Sequence, residues 1–146
     1  MFSFKYSGKV TLYIQKLNRR VKVAKNRALY RAAGLLRTAT KRSMRLRPGP
    51  SRAGRPPHAH TRTGLRVIEF VVDDAANAAM VGPIKFAGSR FFDEPVPHIQ
   101  EFGGVFVSRK SYHRYPERSY MHYTLKKLVN SGALPKSFAY GMAQVL

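Results

Sequence analysis

Few side chains in this sequence could carry chemistry, and their spacing narrows what that chemistry could be. The histidines are His58, His60, His98, His113 and His122, the first carboxylate is Glu69, and there is no cysteine. Without thiols there is no disulfide framework, thiolate metal site or cysteine nucleophile. His98 and Glu101 stand three residues apart in a segment of helical character, a spacing that can turn two metal ligands to one side. No third ligand follows at a suitable distance, so capping or surface roles are expected for them. His58 and His60 lie among prolines and glycines with no acid nearby. Asp73-Asp74 reads as a turn pair, where aspartate is favoured because it bonds to nearby backbone. No glycine-rich phosphate loop follows a strand, and no Ser/His/Asp order is defensible. The expectation is a protein without catalytic residues, metal ligands or cofactor.

The cations offer a different chemistry. The chain has 27 Lys and Arg against 7 Asp and Glu, a net charge of +20. From Met1 to Ile68 there are 18 basic side chains and no acid; from Glu69 to Leu146 there are 9 basic and 7 acidic. A half-chain of one sign repels itself unless an anionic partner lies nearby, and nucleic acid is a usual one. Part of that charge lies in "SRAGRPPHAHTRTGLR", Ser51–Arg66, which holds four arginines and no acid. Arg45, Arg47, Arg52, Arg55, Arg62 and Arg66 are candidates to contact phosphates in a salt-dependent, sequence-independent way. They are equally suited to an acidic face of a neighbouring protein. Tyr112, Tyr115, Tyr120 and Tyr123 could stack on bases, but clustered aromatics serve a core or an interface as readily. No zinc finger, ribonucleoprotein motif or GXXG loop is present, so sequence-specific reading is not expected.

The elements that must position these groups predict an α+β fold. The length suits one domain over 1–146, and 44% hydrophobic residues suffice for a core. Residues 1–15, with alternating Phe2, Phe4, Tyr6, Val10, Leu12 and Ile14, read as an N-terminal strand or ordered arm. From Gln15 to Ser43, Leu17, Val21, Ala24, Ala28, Ala32, Leu35 and Ala39 step by three and four, marking one face of a long basic helix. The alanines in that stripe would let another element approach closely. Residues 44–64, broken by Pro48, Pro50, Pro56 and Pro57, read as an extended basic loop. "LRVIEFVV" (Leu65–Val72) and "AAMVG" (Ala78–Gly82) predict a small antiparallel sheet joined at Asp73–Asn77. "VPHIQEFGG" suggests a helical turn stopped by Gly103-Gly104. Val105–Tyr115 suits either a β segment or a loop. A C-terminal helix opens after Pro116 with Ser119 as cap, carries Met121, Leu125, Leu128 and Val129 on one face, and stops at Asn130-Ser131-Gly132. A final amphipathic turn or two holds Phe138, Met142 and Val145. No apolar run approaches the ~18 residues of a membrane span.

Several short segments recur in a telling order: "GRPPHAHTRTGLRVIEFVVDD", "VGP", "QEFGG", "YPERSYM" and the "LP" of "ALPKSF". Together they resemble the head–tail joining (neck or tail-completion) proteins of tailed bacteriophages. The matching positions are Gly54, Pro56, Pro57, His60, Gly64 and Leu65; Val81, Gly82 and Pro83; Glu101, Phe102, Gly103 and Gly104; and Pro116, Arg118, Tyr120 and Met121. The likeness spans Lys16 to Tyr140 and departs from the family pattern at Glu117 and Ser119. It implies a non-enzymatic virion protein, assembled in the host cytoplasm as a homo-oligomeric ring. Its partners would be a portal-proximal adaptor or connector and a tail-terminator or tail-tube protein. Genomic DNA in the channel would be contacted without sequence preference. In such a ring Gly64, Gly103 and Gly104 would serve backbone geometry, and Phe102, Tyr120 and Met121 the core or subunit packing. A ribosomal-type or other non-specific nucleic-acid-binding protein fits the charge and size equally well but leaves the ordered segments unexplained.

Overall fold

A computed structural model describes residues 9–49, 51–59, 66–84, 100–108 and 111–145. The fold is α+β: a long N-terminal helix, two small antiparallel β-hairpins and C-terminal helices. Helix α1 is Lys9–Ser43, strands β1 and β2 are Ile68–Asp73 and Ala78–Pro83, and β3 and β4 are Gly104–Ser108 and Ser111–Tyr115. Helix α2 is Met121–Asn130 and α3 is Ala133–Ala143.

Helix α1 begins earlier than the alternating N-terminal residues suggested. Lys9–Ile14 are helical, not extended. Once a helix is nucleated, each further residue adds one hydrogen bond at little cost, so α1 propagates past the point where its apolar stripe is packed. Lys41 and Arg42 in its last turn complement the negative end of its dipole. The face that is buried holds Ala24, Ala28, Ala33 and Thr40, whereas Leu17 and Val21 are exposed. The alanine stripe does what its small side chains permit. Helix α3 crosses it so closely that a Cβ on Gly141 would lie 2.6 Å from the Ala28 Cα. Arg31 adds a cation–π contact over the Tyr140 ring, 4.2 Å from its centre.

The first hairpin forms as the sequence predicts, with Ile68 opposite Pro83 and Asp73 opposite Ala78. Asp73 Oδ1 accepts the backbone N–H groups of Ala75 and Ala76, the local bond that makes aspartate favourable in turns. Arg37 fastens this hairpin to α1: Nε donates to the Ile68 carbonyl at 2.8 Å and Nη2 to Glu69 Oε1 at 2.6 Å. The Arg37 hydrogen bond holds the Glu69 carboxyl below its ordinary range. Tyr30 meets Phe70 edge to face at 5.9 Å.

Strands β3 and β4 form a second antiparallel pair, with Gly104 opposite Tyr115 and Ser108 opposite Ser111. The described strands thus form two separate two-stranded sheets, not one. The chain's end is likewise two helices: the last amphipathic turns are the 11-residue α3. The main hydrophobic cluster is small. Met44, Ile68 and Tyr120 are fully buried, with Val81 and Met121 packed against them. It lies where the end of α1, the start of β1 and the start of α2 meet.

Candidate functional site

Two features concentrate the residues singled out by the sequence: the basic loop, and a joint that ties "EFGG" to the start of α2.

The described parts of the loop, 44–49 and 51–59, do not form an extended arm. The loop doubles back on itself, with Leu46 and Ala59 in a parallel bridge held by Ala59 N–H to Arg45 O (2.9 Å) and Arg47 N–H to Ala59 O (3.3 Å). His58 Nδ1 donates to the Gly49 carbonyl at 3.3 Å, a structural contact within the loop. Gly54 N–H donates to Glu117 O, fixing the loop to the segment before α2. The prolines prevent helix and sheet, but they do not prevent a compact loop whose backbone groups find partners. Ser51, Pro57 and Ala59 turn inward, while Arg45, Arg47, Arg52 and Arg55 are exposed. Arg66 is half-buried in the short turn before β1 rather than displayed with them. Arg62, His60, Gly64, Leu65 and His98 lie outside the described residues.

The joint is built on Glu101. This residue is buried, yet its carboxylate accepts from the backbone N–H groups of Tyr120 (2.9 Å), Met121 (3.0 Å) and His122 (2.7 Å), and from the Ser119 hydroxyl (2.9 Å). Those three N–H groups stand at the N-terminus of α2, where the helix leaves donors unsatisfied and its dipole favours an anion. Glu101 is therefore the cap of α2, supplied from 19 or more residues upstream. Ser119, the expected cap, instead donates to that same carboxylate. Arg118 N–H donates to Gln100 O, so the two segments run in contact on either side of the carboxylate.

Gly103 ends the helical turn at 100–102 with a φ of +73°, and a Cβ there would lie 3.0 Å from Glu117 N and 3.2 Å from Tyr115 O. Only glycine fits both the left-handed backbone and the gap. Gly104, expected to share this role, is the first residue of β3. Tyr120 is a core residue and Met121 packs beside it. Phe102 is not core: it is 67% exposed.

Burial, and after it the Glu101 charge, pushes the Tyr120 phenol well above its ordinary 10. The proton is held more tightly in the folded state, so folding is unaffected below pH 10 and loses stability as pH rises above it. In an alkaline titration followed by tyrosine absorbance, one of the eight tyrosines should resist ionisation until the protein unfolds. Complete ionisation of all eight in the folded protein would contradict this burial.

Beside the joint, Leu29, Ala33, Val81, Leu125, Val129 and Phe138 line an apolar groove of about 1160 Å³, with Glu101 and Tyr120 at its wall. Sequence reasoning did not find it, because its lining comes from four elements whose docking no local pattern encodes. Among the described residues, no three His, Asp or Glu side chains gather as metal ligands, and no helix is long and apolar enough to cross a membrane.

No family model matches the chain, and neither does any curated protein or solved structure.

Proposed function

We propose that the protein is a structural subunit of the neck of a tailed phage, forming a homo-oligomeric ring between the portal connector and the tail. The observation that supports this most is the joint. Gly54, Glu101, Gly103, Tyr120 and Met121 come from three separate segments of the ordered set that resembles the neck proteins. They meet around one buried carboxylate and one tight backbone crossing. Residues with this role set architecture, as a structural subunit requires, and the neck reading accounts for their order along the chain. On this reading the protein resides in the virion, touches connector and tail proteins, and lines a channel through which DNA passes. Weak, sequence-blind positive charge suits such a lumen, because tight binding would hold the genome back. Sedimentation of the purified chain, alone and mixed with a portal-proximal connector, tests the assignment. A ring, free or seated on the connector, is expected; a monomer that joins nothing contradicts it.

The exposed Arg45, Arg47, Arg52 and Arg55 favour a second reading, a non-specific nucleic-acid-binding protein of ribosomal type. Both readings allow the loop to contact nucleic acid, and a salt series measures it. The triple variant Arg47/Arg52/Arg55→Ala should bind DNA more weakly for every sequence and flatten the slope of log K against log salt by about 2–3. An unchanged slope would assign the loop to protein contacts.

A further inference from the structure

From Ala24 to its end at Ser43, α1 leaves five residues exposed: Arg27, Tyr30, Arg31, Thr38 and Arg42. Four of these, all but Tyr30, follow one another at steps of four, seven and four. Lys16 and Arg20, both exposed, carry the same steps back along the helix. Three pairs of positions (16 and 20, 27 and 31, 38 and 42) thus recur every 11 residues. Eleven residues complete three helical turns with a drift of only about 20°, so the six positions stay within a sector of about 80°. They form one straight row about 39 Å long. Five of the six are cations, and none is acidic or aromatic. The cations of α1 that meet an acid among the described residues lie off this row: Arg37 and Lys41 both pair with Glu69. Arg31 lies over the Tyr140 ring. That contact uses the face of the guanidinium and leaves its in-plane N–H donors for an anion.

We infer that this row of α1 is a surface for the phosphate backbone of duplex nucleic acid, contacted without regard to sequence. A row of one sign on the solvent side of a packed helix is the electrostatic footprint of a polyanion partner. The row is straight and stiff, and it is longer than one turn of a duplex, about 34 Å. A duplex presents a charge every ~1.7 Å along its axis, so such a row finds phosphates in any register. A single strand would call for aromatic side chains between the cations, and these six positions hold none. A membrane surface would call for an exposed apolar face beside the cations along the whole row. From Ala24 to Ser43 the apolar residues of α1 are instead buried or half-buried, apart from Tyr30, which lies against Phe70. Past Ser43 the chain leads straight into the exposed Arg45 and Arg47, so the loop contact proposed above continues the row. The inference rests on the nucleic-acid contact that both functional readings share, and not on ring formation.

Two charge-matched variants of the full chain test it against a mixed-sequence DNA duplex, between about 50 and 200 mM salt. Arg20/Arg27/Arg42→Gln removes three cations of the row, and Lys126/Lys127/Lys136→Gln removes three exposed cations of α2 and α3. All six positions are exposed, and glutamine matches lysine and arginine in helix propensity, so circular dichroism and Tm should stay close to wild type. The row variant should flatten the slope of log K against log salt by about 2–3, and the control variant by less than about 1. Equal flattening in both would overturn the inference, because the binding would then follow net charge and not this row. A row variant with the wild-type slope would also overturn it, and would leave the nucleic-acid contact to the loop. Wild-type protein that retains no duplex at the lowest salt would remove that contact itself, a failure of the shared reading that leaves the ring untouched. Vesicles of phosphatidylserine that outcompete the duplex for wild type but not for the row variant would overturn it in favour of a membrane surface.

Discussion

Glu101→Ala is expected to lower the unfolding free energy by about 3 kcal/mol, a loss of about 6–12 °C in Tm. The side chain accepts four hydrogen bonds, three of them from the first N–H groups of α2. Removing a capping side chain alone costs about 1 kcal/mol. Here the acceptor is charged and its donors are sheltered beside the buried Tyr120, so they are left unpaired where water reaches poorly. Glu101→Gln keeps one acceptor oxygen of the two and should lose about half as much. Thermal unfolding followed by circular dichroism resolves the two variants. A change below about 0.5 kcal/mol in Glu101→Ala would mean that the joint does not hold the start of α2.

Gly141→Ala should destabilise by about 1–3 kcal/mol, against the usual sign for such a change in a helix. Replacing glycine by alanine inside an exposed helix gains about 1 kcal/mol of propensity. At Gly141 the new methyl would lie 2.6 Å from the Ala28 Cα and 3.0 Å from its N. Both atoms belong to the backbone of a long helix, so relief requires α3 to move away, and overpacking of this kind outweighs the propensity gain. Gly34 in α1 is the internal control. A Cβ there meets nothing within 4 Å, so Gly34→Ala should stabilise by about 0.5–1 kcal/mol. Urea unfolding of both variants, with unchanged m-values, checks the pair. Stabilisation by both would place the α1–α3 crossing farther apart than described here.

What was legible in the sequence follows from the range of the forces involved. Periodicity announced α1, the first hairpin and α2, because each is set by local alternation or by a three-to-four residue step. Turn chemistry located Asp73–Asn77 and the stop at Gly132 for the same reason. The alanine stripe signalled close helix packing but could not name α3 as the partner. The Ser119 cap was a sound local inference overridden from afar: Glu101, a charged acceptor, reaches the same N–H groups and takes Ser119 as a further donor. Nor could the prolines of the basic loop reveal its fold. They exclude regular elements without saying whether the backbone meets water or, as between Arg45, Arg47 and Ala59, itself. Leu17 and Val21 carried a core-like pattern yet lie exposed, since burial depends on whether any element covers that end of the helix. The groove is the extreme case, assembled wholly by tertiary docking.

The most direct test of the proposed role is cryo-electron microscopy of purified phage particles that encode this chain, with an affinity label fused to its C-terminus. Labelled density forming a closed ring at the head–tail junction is the predicted result. Intact, infectious particles lacking the protein would contradict it.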